Sequence, residues 1–222
     1  MRKAILHLKK CDPVMRSIIE RVGPFRMQYR EPTFHSLARA IAYQQLNGKA
    51  AATIFGRFTA LAGDPLTPEG VLKLTPEQMR SVGLSKQKSS YLIDMAERAY
   101  RGELDFAKVA AMSDAEVIEH LTQVKGVGVW TAHMFLMFTL RRTDVLPTGD
   151  FGIRMAMFKS YLDKRAKAAA RSKNGKAPSK PRKRKIKLPS PEQMERIAKS
   201  WAPYRSIACW YLWRSLDVEA IG

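Results

Sequence analysis

Thr75-Pro76-Glu77-Gln78, Ser113-Asp114-Ala115-Glu116 and Ser190-Pro191-Glu192-Gln193 each place a Glu or Gln three residues after a Ser or Thr. This spacing is a helix start. The hydroxyl oxygen accepts from the backbone N–H three residues on, and the Glu or Gln reaches back to the cap's own N–H. Pro fits the first helical position because its missing N–H is one that would go unpaired. Val117, Ile118, Leu121 and Val124 follow the second box at helical spacing, and Met194, Ile197, Ala198 and Trp201 follow the third. Phe34, Leu37, Ala38 and Ile41 repeat at i, i+3, i+4, i+7 and predict an amphipathic helix ending near Gln45. Asp12-Pro13 predicts another start, Gly48 to about Leu61 an Ala-rich helix, and Val129 to about Leu140 an apolar one. No run alternates apolar with polar, and no Asn-Gly turn joins two such runs. The class is all-α, without a clear internal repeat. At 222 residues and 45% hydrophobic content the chain can bury a substantial core in one or two domains.

Charge narrows the partners. A formal net charge of +19 points to a polyanion, nucleic acid before membrane. Twelve Lys or Arg and no acid lie between Lys164 and Lys187, which leaves +19 − 12 = +7 on the rest. Gly175, Pro178 and Pro181 interrupt the run, and residues 164–189 read as a disordered basic insertion or extended loop. It is either a solvated insertion or an electrostatic arm that raises non-specific DNA affinity. Pro181-Arg182-Lys183-Arg184-Lys185 also looks like a nuclear-import signal, a pattern that basic arms mimic easily. Two cysteines, Cys11 and Cys209, are too few for a four-Cys iron–sulfur cluster or zinc site, and they argue for a reducing compartment. Ala4–Leu8 is too short for a signal peptide, and Val127–Leu140 is too short to span a bilayer.

One segment carries chemistry. In Val124 to Asp150, Lys125-Gly126-Val127-Gly128 precedes the apolar helix. Two glycines two apart allow positive φ and close approach to the backbone. A helix beginning behind them turns its unpaired N–H groups outward, a cradle for an anion such as a phosphate. The same residues also suit a tight turn with no ligand. Asp150 follows Gly149 and stands where a helix with Phe151, Ile153, Met155 and Phe158 can begin. It can be a cap alone, or a carboxylate held ionised by the helix dipole.

Taken together the motifs are specific. Leu121-x-x-Val124-Lys125-Gly126-Val127-Gly128-x-Trp130-Thr131-Ala132 with Leu146-Pro147-x-x-Asp150 resembles the helix-hairpin-helix (HhH-GPD) DNA glycosylases, in particular their DNA-3-methyladenine glycosylase II branch. Ile41-Ala42-Tyr43-Gln44-Gln45-Leu46, Val82-Gly83-Leu84-Ser85-x-x-Lys88 and Pro203-Tyr204-Arg205-Ser206-x-Ala208-x-Trp210-Tyr211-Leu212-Trp213-Arg214 are similar to other segments of that branch. The resemblance covers most of the chain outside roughly 164–189, a stretch to which nothing transfers.

The resemblance implies a two-lobed all-α fold with a DNA cleft between the lobes and no extra N-terminal α/β domain. Residues of about 30–110 would form one lobe; 1–29 and 111–222 would form the other, with the hairpin 125–128 and the catalytic segment 146–154 in it. It implies hydrolysis of the N-glycosidic bond of alkylated purines, 3-methyladenine and 7-methylguanine among them, after base flipping. Asp150 would be the catalytic carboxylate, stabilising positive charge on the deoxyribose. Relatives that also nick the backbone carry a lysine where this chain has Trp130, so the enzyme would be monofunctional and leave an abasic site. Trp130 and Trp213 match pocket-lining positions. Phe151, Tyr204 and Trp210 are weaker candidates, and for Phe151 and Trp210 core packing is the better reading. His35 and His133 read as core or surface histidines. Gln45 matches the residue that fills the gap left by the flipped base, with Leu46 as the alternative and a plain polar helix end as the bland reading of Gln44-Gln45. Phosphates would be anchored by Gly126, Val127 and Gly128 with Lys125, and by Ser85 and Lys88; Gln44 and Arg154 complete the DNA-facing set. The family's hairpin often holds a monovalent cation, here a Na+ or K+ at the carbonyls of Thr122, Val124 and Val127. No cofactor is required and no metal is catalytic. The implied partner is double-stranded DNA containing alkylated bases, met by a monomer away from membranes: in a bacterial cytoplasm at the nucleoid, or in a nucleus if the source is eukaryotic. The rivals are a glycosylase for hypoxanthine, uracil or mismatches, and a non-enzymatic DNA-binding protein that would have no need of Asp150.

Overall fold

In a computed structural model the described residues are 1–46, 48–163 and 186–219. The basic segment of residues 164–185 and the question of its order lie outside them. Every regular element among the described residues is helical. They form two compact units, Met1–Met27 with Thr143–Gly222, and Gln28–Arg142. The boundary expected near 110 therefore lies at 142, and the hairpin falls in the unit of residues 28–142, apart from Asp150. Sequence gives no break at 142: the covalent chain runs on, and the division is set by which helices pack.

The first unit holds α1 (Arg2–Cys11), α2 (Pro13–Val22), α11 (Phe151–Met157) with a π-helical turn Phe158–Leu162, α12 (Pro191–Ala198) with a 3-10 turn Lys199–Trp201, and α13 (Arg205–Glu219). The long α13 packs against α1, α2 and α11. Asp12 is its buried polar hub. One carboxylate oxygen caps α2 by accepting from Val14 N and Met15 N at 2.8 and 2.9 Å. The other accepts from Tyr161 Oη at 2.9 Å and Trp201 Nε1 at 2.8 Å. Burial, reinforced by the neighbouring Asp12 charge, pushes the Tyr161 hydroxyl far above the usual phenol range. A buried carboxylate is tolerated here because it receives four donors.

The second unit holds α3 (Phe34–Tyr43), α4 (Gly48–Ala62), α5 (Pro68–Leu72), α6 (Pro76–Ser81), α7 (Lys86–Tyr100), α8 (Phe106–Val109), α9 (Asp114–Thr122) and α10 (Val129–Phe138). α7 is its spine: α3, α5 and α6 all pack on it. Leu37, Ile41, Phe58, Met79, Leu92 and Met95 are buried in its core, as are Leu121 and Leu136, from the packed pair α9 and α10. All three capping boxes are reciprocal as the sequence predicts. No helix among the described residues is long and apolar enough to cross a membrane.

Candidate active site

The Asp150 segment is built from the start of α13. Arg205 grips Asp144 with two guanidinium nitrogens, Nε at 2.7 Å and Nη2 at 2.8 Å. Ser206 Oγ accepts from Val145 N at 2.9 Å, and Ser206 N donates to Thr143 O at 2.9 Å. Two short turns follow, Thr148 N to Leu146 O and Asp150 N to Pro147 O, each at 2.9 Å. They deliver Asp150 to the N-cap of α11. Its Oδ1 accepts from Ile153 N at 2.8 Å and from Trp213 Nε1, on α13, at 2.9 Å. The residue is only 8% exposed. Two N–H donors on one oxygen and the positive end of a helix hold the carboxylate in one orientation. Its negative charge is felt nearby: the Cys209 thiol is raised far above its ordinary value, by burial first and by Asp150 second.

Gly152 makes the Trp213 contact possible. A Cβ there would stand 3.0 Å from Trp213 Cδ1, 3.1 Å from its Nε1 and 3.2 Å from Asp150 Oδ1. Gly152 carries no signal in the sequence, because its need comes from an indole 61 positions away. Phe151, at 66% exposure, is a surface ring and not a core one, since the first helical position beside the cap points outward. Trp210 is buried against Phe25 and Tyr211. Tyr204 packs edge-on against His7 of α1, ring centroids 5.4 Å apart. Arg154 Nε donates to Pro189 O at 3.2 Å, so it anchors the start of α12.

In the other unit the hairpin follows α9. Gly126 has φ +77°, and a Cβ on it would collide with the Cδ2–Cε2 edge of the Tyr91 ring. Tyr91 is itself held by Gln87 Nε2, which donates to its hydroxyl at 2.6 Å. Gly128 differs from the expectation of two left-handed glycines. It has φ −95° and open space at its Cβ, and serves as the N-cap of α10 without a side-chain bond. Val127 N donates to Val124 O at 3.0 Å, which closes the turn. The carbonyl of Val124 is thus already one hydrogen bond into the turn, with its second lone pair left for any cation.

Lys125 is not a bare phosphate hook. Its backbone N donates to Asp94 Oδ2 at 2.9 Å, and its ammonium lies 3.4 Å from Asp94 Oδ1. Asp94 also takes Arg98 Nε at 3.2 Å. Burial raises the Asp94 carboxyl, but the hydrogen bonds from Lys125 and Arg98 outweigh it and hold the group below the usual carboxylate range. Asp94 is a further residue that the sequence did not flag; its only sequence signal is the i, i+4 spacing to Arg98. Lys88 donates its ammonium to Ala42 O at 2.7 Å at the end of α3, and Ser85 caps α7 through Lys88 N at 3.2 Å. Gln44 Nε2 donates to Gly126 O at 3.0 Å and lies 3.4 Å from Thr131 Oγ1. Gln45 has φ +57°. Leu46 and Trp130 are exposed, by 38% and 46%. Among the described residues no group of three or more His, Cys, Asp or Glu could hold a metal ion. A groove of about 630 Å³ in this unit, lined by Pro32, Phe34, Pro68, Leu104 and Phe106 among others, includes none of the expected site residues.

One unit thus carries a capped, buried carboxylate and the other a glycine-hinged helical hairpin. The family described as HhH-GPD superfamily base excision DNA repair protein matches residues 38–177. DNA-3-methyladenine glycosylase 1 of Schizosaccharomyces pombe is 34% identical over 222 residues, 97% of this chain and 87% of that one. Among solved structures, the S. pombe 3-methyladenine DNA glycosylase in complex with abasic DNA superposes with a TM-score of 0.75 at 33% identity, covering 95% of each chain. The DNA-3-methyladenine glycosidase of Bacillus halodurans gives 0.77 at 32% identity, covering 98% of this chain and 91% of that one. The chain belongs to the HhH-GPD superfamily of base excision DNA repair proteins, on its DNA-3-methyladenine glycosylase branch.

Proposed function

We propose that this protein is a monofunctional DNA glycosylase of base excision repair, acting on alkylated purines such as 3-methyladenine and 7-methylguanine in duplex DNA. The observation that carries the reading is Asp150, buried at a helix start and oriented by Ile153 N and Trp213 Nε1. As the N-glycosidic bond breaks, its electron pair leaves on the base nitrogen and positive charge builds on the sugar. A fixed carboxylate stabilises that charge without rearranging. An alkylated purine is already cationic, so it departs neutral and needs little acid catalysis. A water oxygen then bonds to C1′, and the proton it loses passes through Asp150 to solvent. Trp130 has no amine for a Schiff base, so the product is an intact strand with an abasic site. Monomeric action fits a chain that carries both the carboxylate and the hairpin. No cofactor enters the reaction, and a Na+ or K+ at the carbonyls of Thr122, Val124 and Val127 would serve only to shape the turn.

The test is mass-spectrometric detection of free bases released from methylated duplex DNA, wild type beside Asp150→Asn. Wild type should release methylpurines. The variant should lose at least about 100-fold in rate, the scale of removing one electrostatic stabiliser, while it still binds DNA. Release by neither protein, with DNA binding intact, would move the reading to another lesion or to a binding protein.

A further inference from the structure

Gln44 stands at the C-cap of α3, where the backbone leaves the helix with φ −54° and ψ 133°. Its side chain turns back and donates to the hairpin carbonyl of Gly126 at 3.0 Å, with Thr131 Oγ1 of α10 at 3.4 Å. The next residue, Gln45, is left-handed at φ +57°, and Leu46 beyond it is held 38% exposed. A non-glycine in that conformation persists only where its surroundings fix it. Leu46 N donates to Tyr43 O at 3.3 Å and closes the turn around Gln45, and two side-chain ties fix that turn to its unit. Gln44 binds the loop to the hairpin, and Lys88 binds the end of α3 to α7 through Ala42 O at 2.7 Å. The same α7 carries Tyr91, against which Gly126 lies, and Asp94, which accepts Lys125 N at 2.9 Å. An exposed apolar tip on a strained loop has the form of a wedge for a base step. It is bonded to a turn that offers backbone N–H groups to a phosphate.

We propose that Gln44 is a positioning residue that locks this wedge loop onto the hairpin, so that the two engage duplex DNA at one fixed spacing. The inference deepens the glycosylase reading above and rests on it. Gln44 acts through Gln45 and Leu46 and does not itself touch a phosphate. Lys88 plays the matching part on the other side of the loop.

The experiment compares affinity for a duplex with an abasic-site analogue against the same duplex undamaged, over a series of salt concentrations, with base release from methylated duplex in parallel. Gln44→Met keeps the length of the side chain and removes the N–H donor. It should lower the abasic-to-undamaged affinity ratio about tenfold and lower kcat/KM with it, while affinity for undamaged DNA and its salt slope stay unchanged. A ratio is insensitive to partial unfolding, which scales both affinities together. Lys88→Met should show the same pattern. A direct phosphate contact at Lys88 would instead reduce the salt slope by about one, and that result overturns its part. The double variant Gln44→Met with Leu46→Ala should lose no more than Leu46→Ala alone, because one acts through the other. Additive losses, or an unchanged ratio in Gln44→Met, overturn the proposal. A wild type that releases no methylpurine overturns the glycosylase reading instead, a result that is separate from either.

Discussion

α10 and α11 begin in opposite ways. At α10 the N-cap is Gly128, with no side-chain bond to the first turn, and Trp130 behind it is exposed. At α11 the N-cap is Asp150, whose carboxylate accepts Ile153 N and is joined by the Trp213 indole N–H. The same backbone electrostatics therefore serve two ends. Both helix starts favour negative charge. One leaves that preference open to an anion from outside, and the other answers it with an anion of its own. In a glycosylase the first suits a DNA phosphate and the second a cationic sugar, and swapping the two caps should ruin both.

The contrast is sharpest at Asp150. Asp150→Asn preserves an oxygen for the cap but removes the charge. Base release should fall by about 10²- to 10³-fold, and DNA affinity should hold or rise as repulsion from phosphates is lost. A fall in affinity that matches the fall in rate would place Asp150 in binding instead of chemistry. Gly126→Ala is the counterpart in the hairpin. A left-handed alanine costs about 1–2 kcal/mol, and its Cβ would displace the Tyr91 ring. Stability should fall by about 2–4 kcal/mol in all, seen as a lower denaturation midpoint, with weaker DNA binding by the folded fraction. Gly152→Ala should leave stability within about 1 kcal/mol yet lower kcat about tenfold, because a Cβ 3.0 Å from Trp213 moves the indole off Asp150. An unaltered kcat would mean that the Trp213 N–H does not set the carboxylate's orientation.

What the sequence made legible was local. The capping boxes, Asp12-Pro13 and the Phe34–Ile41 periodicity each announced a helix within a few residues, and Asp150 was readable because the cap, the glycine before it and the apolar residues behind it are contiguous. α1 was missed. It starts at Met1 with no side-chain cap, and Ala4 and Leu8 are its only buried residues, so it carried no start signal and a short apolar stripe. What joins distant positions was also invisible. Trp201 reaches Asp12 across 189 positions and Trp213 reaches Asp150 across 63, and no periodicity encodes either. The hairpin shows the same limit from the other side. Gly126 and Gly128 look alike in sequence, but only Gly126 sits against a ring, and that ring comes from α7. Lys125, Lys88 and Arg154 looked like free cations for DNA; the fold gives each a partner in its own unit.

The Asp144–Arg205 grip is where the support of Asp150 can be tested through pH. Hydrogen bonds from Arg205, the largest influence, hold the Asp144 carboxyl below the usual range in spite of burial. A depressed carboxyl contributes stability that is complete above its unfolded value near about 4 and disappears as pH falls through the lower folded value. Asp144→Asn should therefore unfold more easily than wild type at neutral pH, by about 1–2 kcal/mol, with the difference shrinking below about pH 4. Denaturant melts at both pH values measure this. A difference that is the same at both would assign the loss to packing and not to charge.

Gly128→Ala is the smallest effect and the one that tests the opening contrast most directly. Its φ of −95° suits any residue, and its Cβ would meet nothing within 4 Å. Stability should change by less than about 0.5 kcal/mol, unlike the loss at Gly126. If the N–H groups at the start of α10 face a phosphate, the added methyl stands in the way of that approach, and DNA affinity should drop several-fold at unchanged stability. A variant equal to wild type in both measurements would leave Gly128 as a simple turn and shift the phosphate contact to Gly126, since the Val127 N–H is spent on Val124 O.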